Sequence, residues 1–202
     1  MIGNIFKEIG EIVKDSPLHT LSEGYPLPKP EVFDEPIETN SLYAKEASGE
    51  GMSDDKKDEL KKETGWSDKV LDNIRTEDEA EVYKNAQLEC TEVDGKDALT
   101  RTDIDYDLEV DGETNLDRMR QGKCPRTADG ENVELHHIGQ NPDAPLAELT
   151  STEHRGPDND MTLHDKTQES KIDRNAFRQQ REEYWKARAE AIDKRRLQDN
   201  NQ

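Results

Sequence analysis

Four of the five histidines in this chain fall between positions 136 and 164, as His136, His137, His154 and His164. Imidazole is the commonest metal ligand in proteins and the side chain that titrates nearest neutrality. A cluster of this kind therefore points to a metal site with a general base beside it. The adjacent pair carries further information. Neighbours on a β-strand point to opposite faces, so one imidazole of His136-His137 can bind a metal while the other faces a substrate.

The elements that must position these residues can be read from caps and turns. After a turn at Asp129-Gly130, residues 133–138 read as a short strand, and a loop with Gly139, Asn141, Pro142 and Pro145 leads to a second apolar run at 146–149. Thr150 or Ser151 caps a helical turn carrying His154, and a loop over 156–160 leads to Leu163-His164-Asp165. A long helix from about 170 to 197 follows, with Ile172, Ala176, Phe177, Tyr184, Trp185, Ala189 and Ile192 inward. Upstream, Ser53 caps a charged helix ending near Thr64-Gly65, and Ser67 caps a second with Val70, Leu71 and Ile74 inward. Thr76 and Glu79 form a capping box for a third. Residues 88–93 and 96–102 flank Asp94-Gly95, a strong hairpin signal, and Thr114 caps a helix that stops at Gly122. The expected fold class is α+β, with accessory helices and a hairpin over 53–128 and the histidine-bearing core over 129–198.

The chain has 202 residues, 48 acidic and 28 basic, for a formal net charge of −20, and only 30% are hydrophobic. That composition suits one domain of about 100 to 150 residues with an appendage. No run of 18 apolar residues occurs, which excludes a transmembrane helix. Ile2, Ile5, Phe6, Ile9, Ile12 and Val13 are interrupted by charges at helical spacing, so residues 1–16 read as an amphipathic helix and not as a secretory signal. Pro17, Pro26, Pro28, Pro30 and Pro36 mark a linker over 17–52, where His19 has no assigned role. Cys90 and Cys124 read as free thiols in a reducing compartment. Residues 1–130 carry a net charge of −16, whereas cations outnumber acids by ten to eight over 161–202. Contact with a polyanion must therefore be made by the basic surface of the C-terminal part.

The run from Glu134-Leu135-His136-His137-Ile138-Gly139-Gln140, with 146–155 after it, resembles the LHH family of His-Asn-His (HNH, ββα-metal) nuclease domains. These occur as C-terminal toxin domains of bacterial polymorphic and contact-dependent toxins, and the Leu-His-His step is similar to that of the nuclease colicins. The likeness is specific over 133–165, looser to about 193, reaches back to Gly65-Trp66-Ser67-Asp68, and leaves out residues 1–50.

The resemblance implies that His137 is the general base that activates water, and that His136, His154 and His164 bind one divalent ion. By position in the sequence, Glu134 can orient a ligand from behind, and Arg155, Lys166, Lys171 and Arg174, with Arg178 and Arg181, are candidate phosphate clamps, a solvated helix face with Glu partners being the competing reading. In the family an Asn or a backbone carbonyl often orients the base. No Asn stands before Leu146, so Asn141 and Asn159 are the substitutes by position. Nine residues separate His154 from His164, too many for one helical turn, so a loop must bring His164 back. Failing that, Asp160 or Asp165 would supply the third ligand and favour Mg²⁺ or Mn²⁺, whereas an all-histidine shell favours Zn²⁺ or Ni²⁺.

The resulting expectation is a metal-dependent endonuclease, with duplex DNA ahead of RNA as substrate, acting as the toxin part of an interbacterial effector. Resemblance further implies a cognate immunity protein, non-Sec export from the producer cytoplasm through a carrier or secretion-system contact of the N-terminal segment, and action in the target-cell cytoplasm. Arg188 to Arg196 read as a solvated helix face. The rival reading is a noncatalytic, metal-stabilised interaction module with an acidic partner-binding surface.

Overall fold

A computed structural model describes residues 51–199; the expected helix over 1–16 and the linker up to residue 50 lie outside the described residues. Met52, expected in the linker, is instead buried in the first of two apolar clusters.

The first helices follow their caps. In α1 (Asp54–Thr64), Ser53 accepts the Lys56 N–H, Asp54 and Asp55 occupy the first turn, and Lys61 and Lys62 the last, each complementing the helix dipole. Ser67 caps α2 (Asp68–Leu71), and Thr76 caps α3 (Glu77–Asn85). The expected box at Thr76 is only half formed. Thr76 accepts the Glu79 N–H, but the Glu79 carboxylate takes the N–H of Arg75 instead, because it is recruited into a buried network described below.

Strands β1 (Glu89–Val93) and β2 (Lys96–Thr100) form the expected hairpin, with Asp94 and Gly95 at φ 52° and 70° as a type I′ turn requires. A second hairpin, β3 (Glu109–Val110) with β4 (Glu113–Thr114), was not expected, since two residues per strand leave no alternation to read. Then come α4 (Asn115–Arg120), capped by Thr114, β5 (Val133–His137), a 3-10 turn (Ile138–Gln140), β6 (Leu146–Thr150), α5 (Ser151–Arg155), α6 (Asp160–Leu163) and α7 (Arg174–Asp199). At α5 the capping box is complete, between Thr150 and Glu153. Helix α7 starts later than expected because Asp173 accepts the N–H groups of Asn175 and Ala176, which leaves 170–172 outside the helix.

The main sheet has the order β1-β2-β6-β5. β5 and β6 are antiparallel, with His136 opposite Ala147 and His137 opposite Leu146, and α5 follows directly, which makes the ββα unit. β2 runs parallel to β6, so the accessory hairpin and the core share one sheet. On one face, Ala147 and Leu149 pack with Leu60, Trp66, Leu71, Tyr83 and Leu163. On the other, Val133, Leu135 and Leu146 meet Tyr184, Trp185, Ala189 and Ile192 of α7 together with Leu116 and Met119 of α4. Ala176 is exposed and Phe177 half-buried, so the inward stripe of α7 begins at Tyr184.

Arg188 departs from the solvated face expected for it. It is buried, and its Nε donates to Glu148 Oε1 at 2.9 Å. Glu148, fully buried on β6, also accepts from Tyr184 Oη and the Arg101 N–H, each at 2.8 Å. Burial opposes the Arg188 charge, but the Glu148 charge and hydrogen bonds outweigh it and hold the guanidinium pKa above its ordinary value. The amphipathic pattern could not show this pair, because an Arg at an inward position looks like any other cation of the helix.

Candidate metal centre and nucleic-acid cleft

Strand alternation divides β5 into two chemical faces. Glu134 and His136 lie on one, beside His154 of α5 and His164 at the C-terminal end of α6; His137 lies on the other, against α7. One cleft of about 780 Å³ reaches all four imidazoles.

The potential ligand atoms of His136, His154 and His164 lie within 4.8 Å of one another. His136 Nδ1 is 3.1 Å from His154 Nε2, close to the roughly 3.3 Å expected of two nitrogens about 2.05 Å from one tetrahedral ion. Among the described residues His136 Nε2 is buried without a partner, and another imidazole is the one polar group this ring meets by hydrogen bonding. The other two rings are oriented from behind. His154 Nδ1 donates to Glu134 Oε2 at 2.7 Å, and the His154 hydrogen bond holds the Glu134 carboxyl below its usual range, with Arg155 adding to the effect. An ionised carboxylate only accepts, so His154 Nδ1 carries a proton and Nε2 is the nitrogen turned towards His136. His164 Nδ1 likewise donates to the Asp160 backbone and side-chain oxygens at 3.1 and 3.0 Å. Burial pushes the His136 pKa well down, helped by His154 and His164, and burial also lowers that of His164 against the pull of Asp160. Neutral rings with converging lone pairs are what a divalent ion requires. The donor set fits one such ion, and the loop over 156–160 with the short α6 returns His164 to it. Asp160 stands behind His164, and Asp165 binds Thr167 and Gln168, so neither carboxylate joins the triad.

His137 Nε2 is 3.0 Å from Gln180 Oε1, and its ring lies 4.3 Å from that of Phe177. The amide oxygen accepts, which places the proton on Nε2 and leaves Nδ1 basic. Burial lowers the His137 pKa, opposed by the Gln180 hydrogen bond, which favours the neutral ring that can accept a proton. Gln180 was not anticipated. It sits 43 positions away in a helix crowded with Gln, Arg and Glu, and only its i, i+3 spacing from Phe177 hinted at a shared face. Neither Asn candidate reaches His137. Asn141 donates to Asn73, and Asn159 donates to the Glu153 carbonyl at 2.9 Å, holding the loop after α5.

Of the four cations expected at phosphate, Arg155 and Arg174 line the cleft, joined by Arg178 and Arg181. Arg155 is paired with Glu134 at 2.9 Å but is 65% exposed, and the Arg181 guanidinium lies 4.9 Å from the Phe177 ring centroid. Lys166 and Lys171 do not line it. Lys166 is ion-paired with Asp160, and Lys171 borders an adjoining hollow.

A strand pair followed by a helix carries a convergent histidine triad on one face of β5 and a further imidazole on the other. Residues 114–191 match the model of the LHH family, described as a nuclease of the HNH/ENDO VII superfamily with conserved LHH, and that span contains β5, β6, all four imidazoles and Gln180. No curated protein and no solved structure matches the chain. Among the described residues no helix is long and apolar enough to cross a membrane.

Proposed function

We propose that the chain is a metal-dependent endonuclease that hydrolyses phosphodiester bonds, with duplex DNA as its main substrate, and that it is the toxin part of an interbacterial effector. One observation carries the catalytic reading: imidazoles from both faces of β5 meet in a single cleft, three as a nitrogen triad and His137 against Gln180 and Phe177. In this reading His136, His154 and His164 hold one divalent ion, and an all-nitrogen shell favours Zn²⁺ or Ni²⁺ over Mg²⁺ or Mn²⁺. A metal bound there would offset the charge that builds on the phosphate and leaving oxygen. His137 takes the proton of the attacking water, held in orientation by Gln180. Glu134 and Asp160 fix the tautomers of two ligands, and Arg155, Arg174, Arg178 and Arg181 grip phosphates without reading bases, which supports cleavage independent of sequence.

The toxin role, the immunity partner, non-Sec export and delivery through the N-terminal segment rest on the resemblance of the Leu-His-His region to toxin domains. Charge supports the partner: a surface with basic patches would complement the net −16 of residues 1–130.

The test is incubation of purified protein with supercoiled plasmid and with total RNA, with EDTA or with Zn²⁺, Ni²⁺, Mg²⁺ or Mn²⁺ added. Plasmid is expected to be nicked and linearised faster than RNA is lost, and EDTA is expected to stop both. His137→Ala is expected to lose at least about 100-fold in rate while still binding metal. Undiminished cleavage by that variant would remove His137 as the base, and RNA loss beside intact plasmid would reassign the substrate.

A further inference from the structure

The triad is completed by a group outside the matched segment. Arg75, in the link between α2 and α3, precedes residue 114 and reaches the turn that carries His164. Its Nη2 donates to the carbonyls of Thr162 and Leu163, both at 3.0 Å, and its Nη1 donates to Gln140 Oε1 at 3.1 Å. Gln140 Oε1 also accepts the Asp165 N–H at 2.6 Å. The backbone is therefore held on both sides of His164, at the carbonyl before it and the amide after it. Such restraint matters here because α6 is a single turn, whose terminal carbonyls have no helical partner.

The other end of the device is fixed to the strand bearing His136. Glu79, with no exposed surface, accepts from the Arg75 N–H at 3.0 Å, Tyr83 Oη at 2.7 Å and the Gly139 N–H at 2.8 Å. Gly139 follows the Leu-His-His-Ile run with φ +64°, and a Cβ there would lie 2.1 Å from the Asn73 carbonyl oxygen, so only glycine lets the turn seat on the α2–α3 link. Glu79 and Arg75 thus join the exit of β5, with the first ligand, to the end of α6, with the last. A planar guanidinium can bridge several acceptors at fixed geometry, and an ammonium cannot.

We infer that Arg75, relayed by Gln140 and anchored by Glu79, is a positioning residue for the metal centre that sets the place of His164. This rests on the metal-site reading above.

The test uses the full chain stripped of metal and titrated with Co²⁺ alone, followed by its ligand-field absorption, with urea unfolding of the metal-free protein in parallel. Arg75→Lys keeps a cation beside Glu79 but loses the fork. Gln140→Ala cuts the same relay without touching Glu79, which covers the case in which Arg75→Lys fails to fold. Each is expected to weaken Co²⁺ binding by about 10- to 100-fold with a urea midpoint near that of the parent. In a His164→Ala background the Arg75→Lys effect is expected to vanish, because both changes act on one ligand. Unchanged Co²⁺ affinity in both relay variants, or an Arg75→Lys loss that persists in full without His164, would overturn the inference while the triad stands. Parental Co²⁺ binding by His164→Ala would remove the third ligand, and the positioning role with it.

Discussion

His136 and His137 are joined by one peptide bond and meet different surroundings, because a strand turns successive side chains to opposite faces. Among the described residues His136 is held by imidazoles and has no hydrogen-bonding carboxylate, whereas His137 is held by one amide oxygen and an aromatic ring. In the proposed function, that separation would let metal binding and proton transfer be disturbed independently. Gln180→Leu removes the acceptor for His137 and leaves the triad untouched. Cleavage is expected to fall about tenfold or more, with Co²⁺ affinity unchanged, as measured by plasmid nicking beside a Co²⁺ titration. Lost Co²⁺ affinity in that variant would instead tie Gln180 to the triad.

At the scale of elements, α7 does two jobs that its sequence does not separate. Its first turns present Arg174, Phe177, Arg178, Gln180 and Arg181 around the cleft and His137, and its later turns bury Tyr184, Trp185, Arg188, Ala189 and Ile192. The junction is set by Arg188 on Glu148, deep in the sheet. Arg188→Met leaves the Glu148 carboxylate buried without its cation and is expected to cost about 3–5 kcal/mol in urea unfolding. Pairing it with Glu148→Leu is expected to recover part of that loss, since the uncompensated charge is gone. A single-variant cost below about 0.5 kcal/mol, as for an ordinary surface change, would show that the ion pair does not fix the helix.

For the whole molecule, the net charge of −20 repels a polyanion at long range, so in the proposed function contact with nucleic acid would fall to the arginines that line the cleft. Each phosphate neutralised contributes about 0.9 to the slope of log affinity against log salt. In a His137→Ala background that prevents cleavage, Arg178→Ala with Arg181→Ala is expected to lower that slope by about 2 and to weaken binding equally on duplexes of unrelated sequence, as read by fluorescence anisotropy. A loss confined to one sequence would indicate base readout in place of phosphate contact.

Short-range chemistry was legible directly from the chain. Ser53, Ser67, Thr76, Thr114 and Thr150 cap the helices they precede, and Asp94-Gly95 turns the hairpin, because such preferences act over three or four residues. The histidine cluster and the strand that splits His136 from His137 were visible for the same reason. The parallel pairing of β2 with β6, the burial of Arg188, the acceptor that Gln180 offers His137 and the hold of Arg75 around His164 were not. These contacts join residues tens of positions apart, and their geometry depends on how the sheet and helices pack, which no local pattern encodes. Sequence alone determined which residues could do the chemistry and on what elements they stand; tertiary structure decided which of them meet, because convergence of distant side chains follows from packing and not from neighbouring residues.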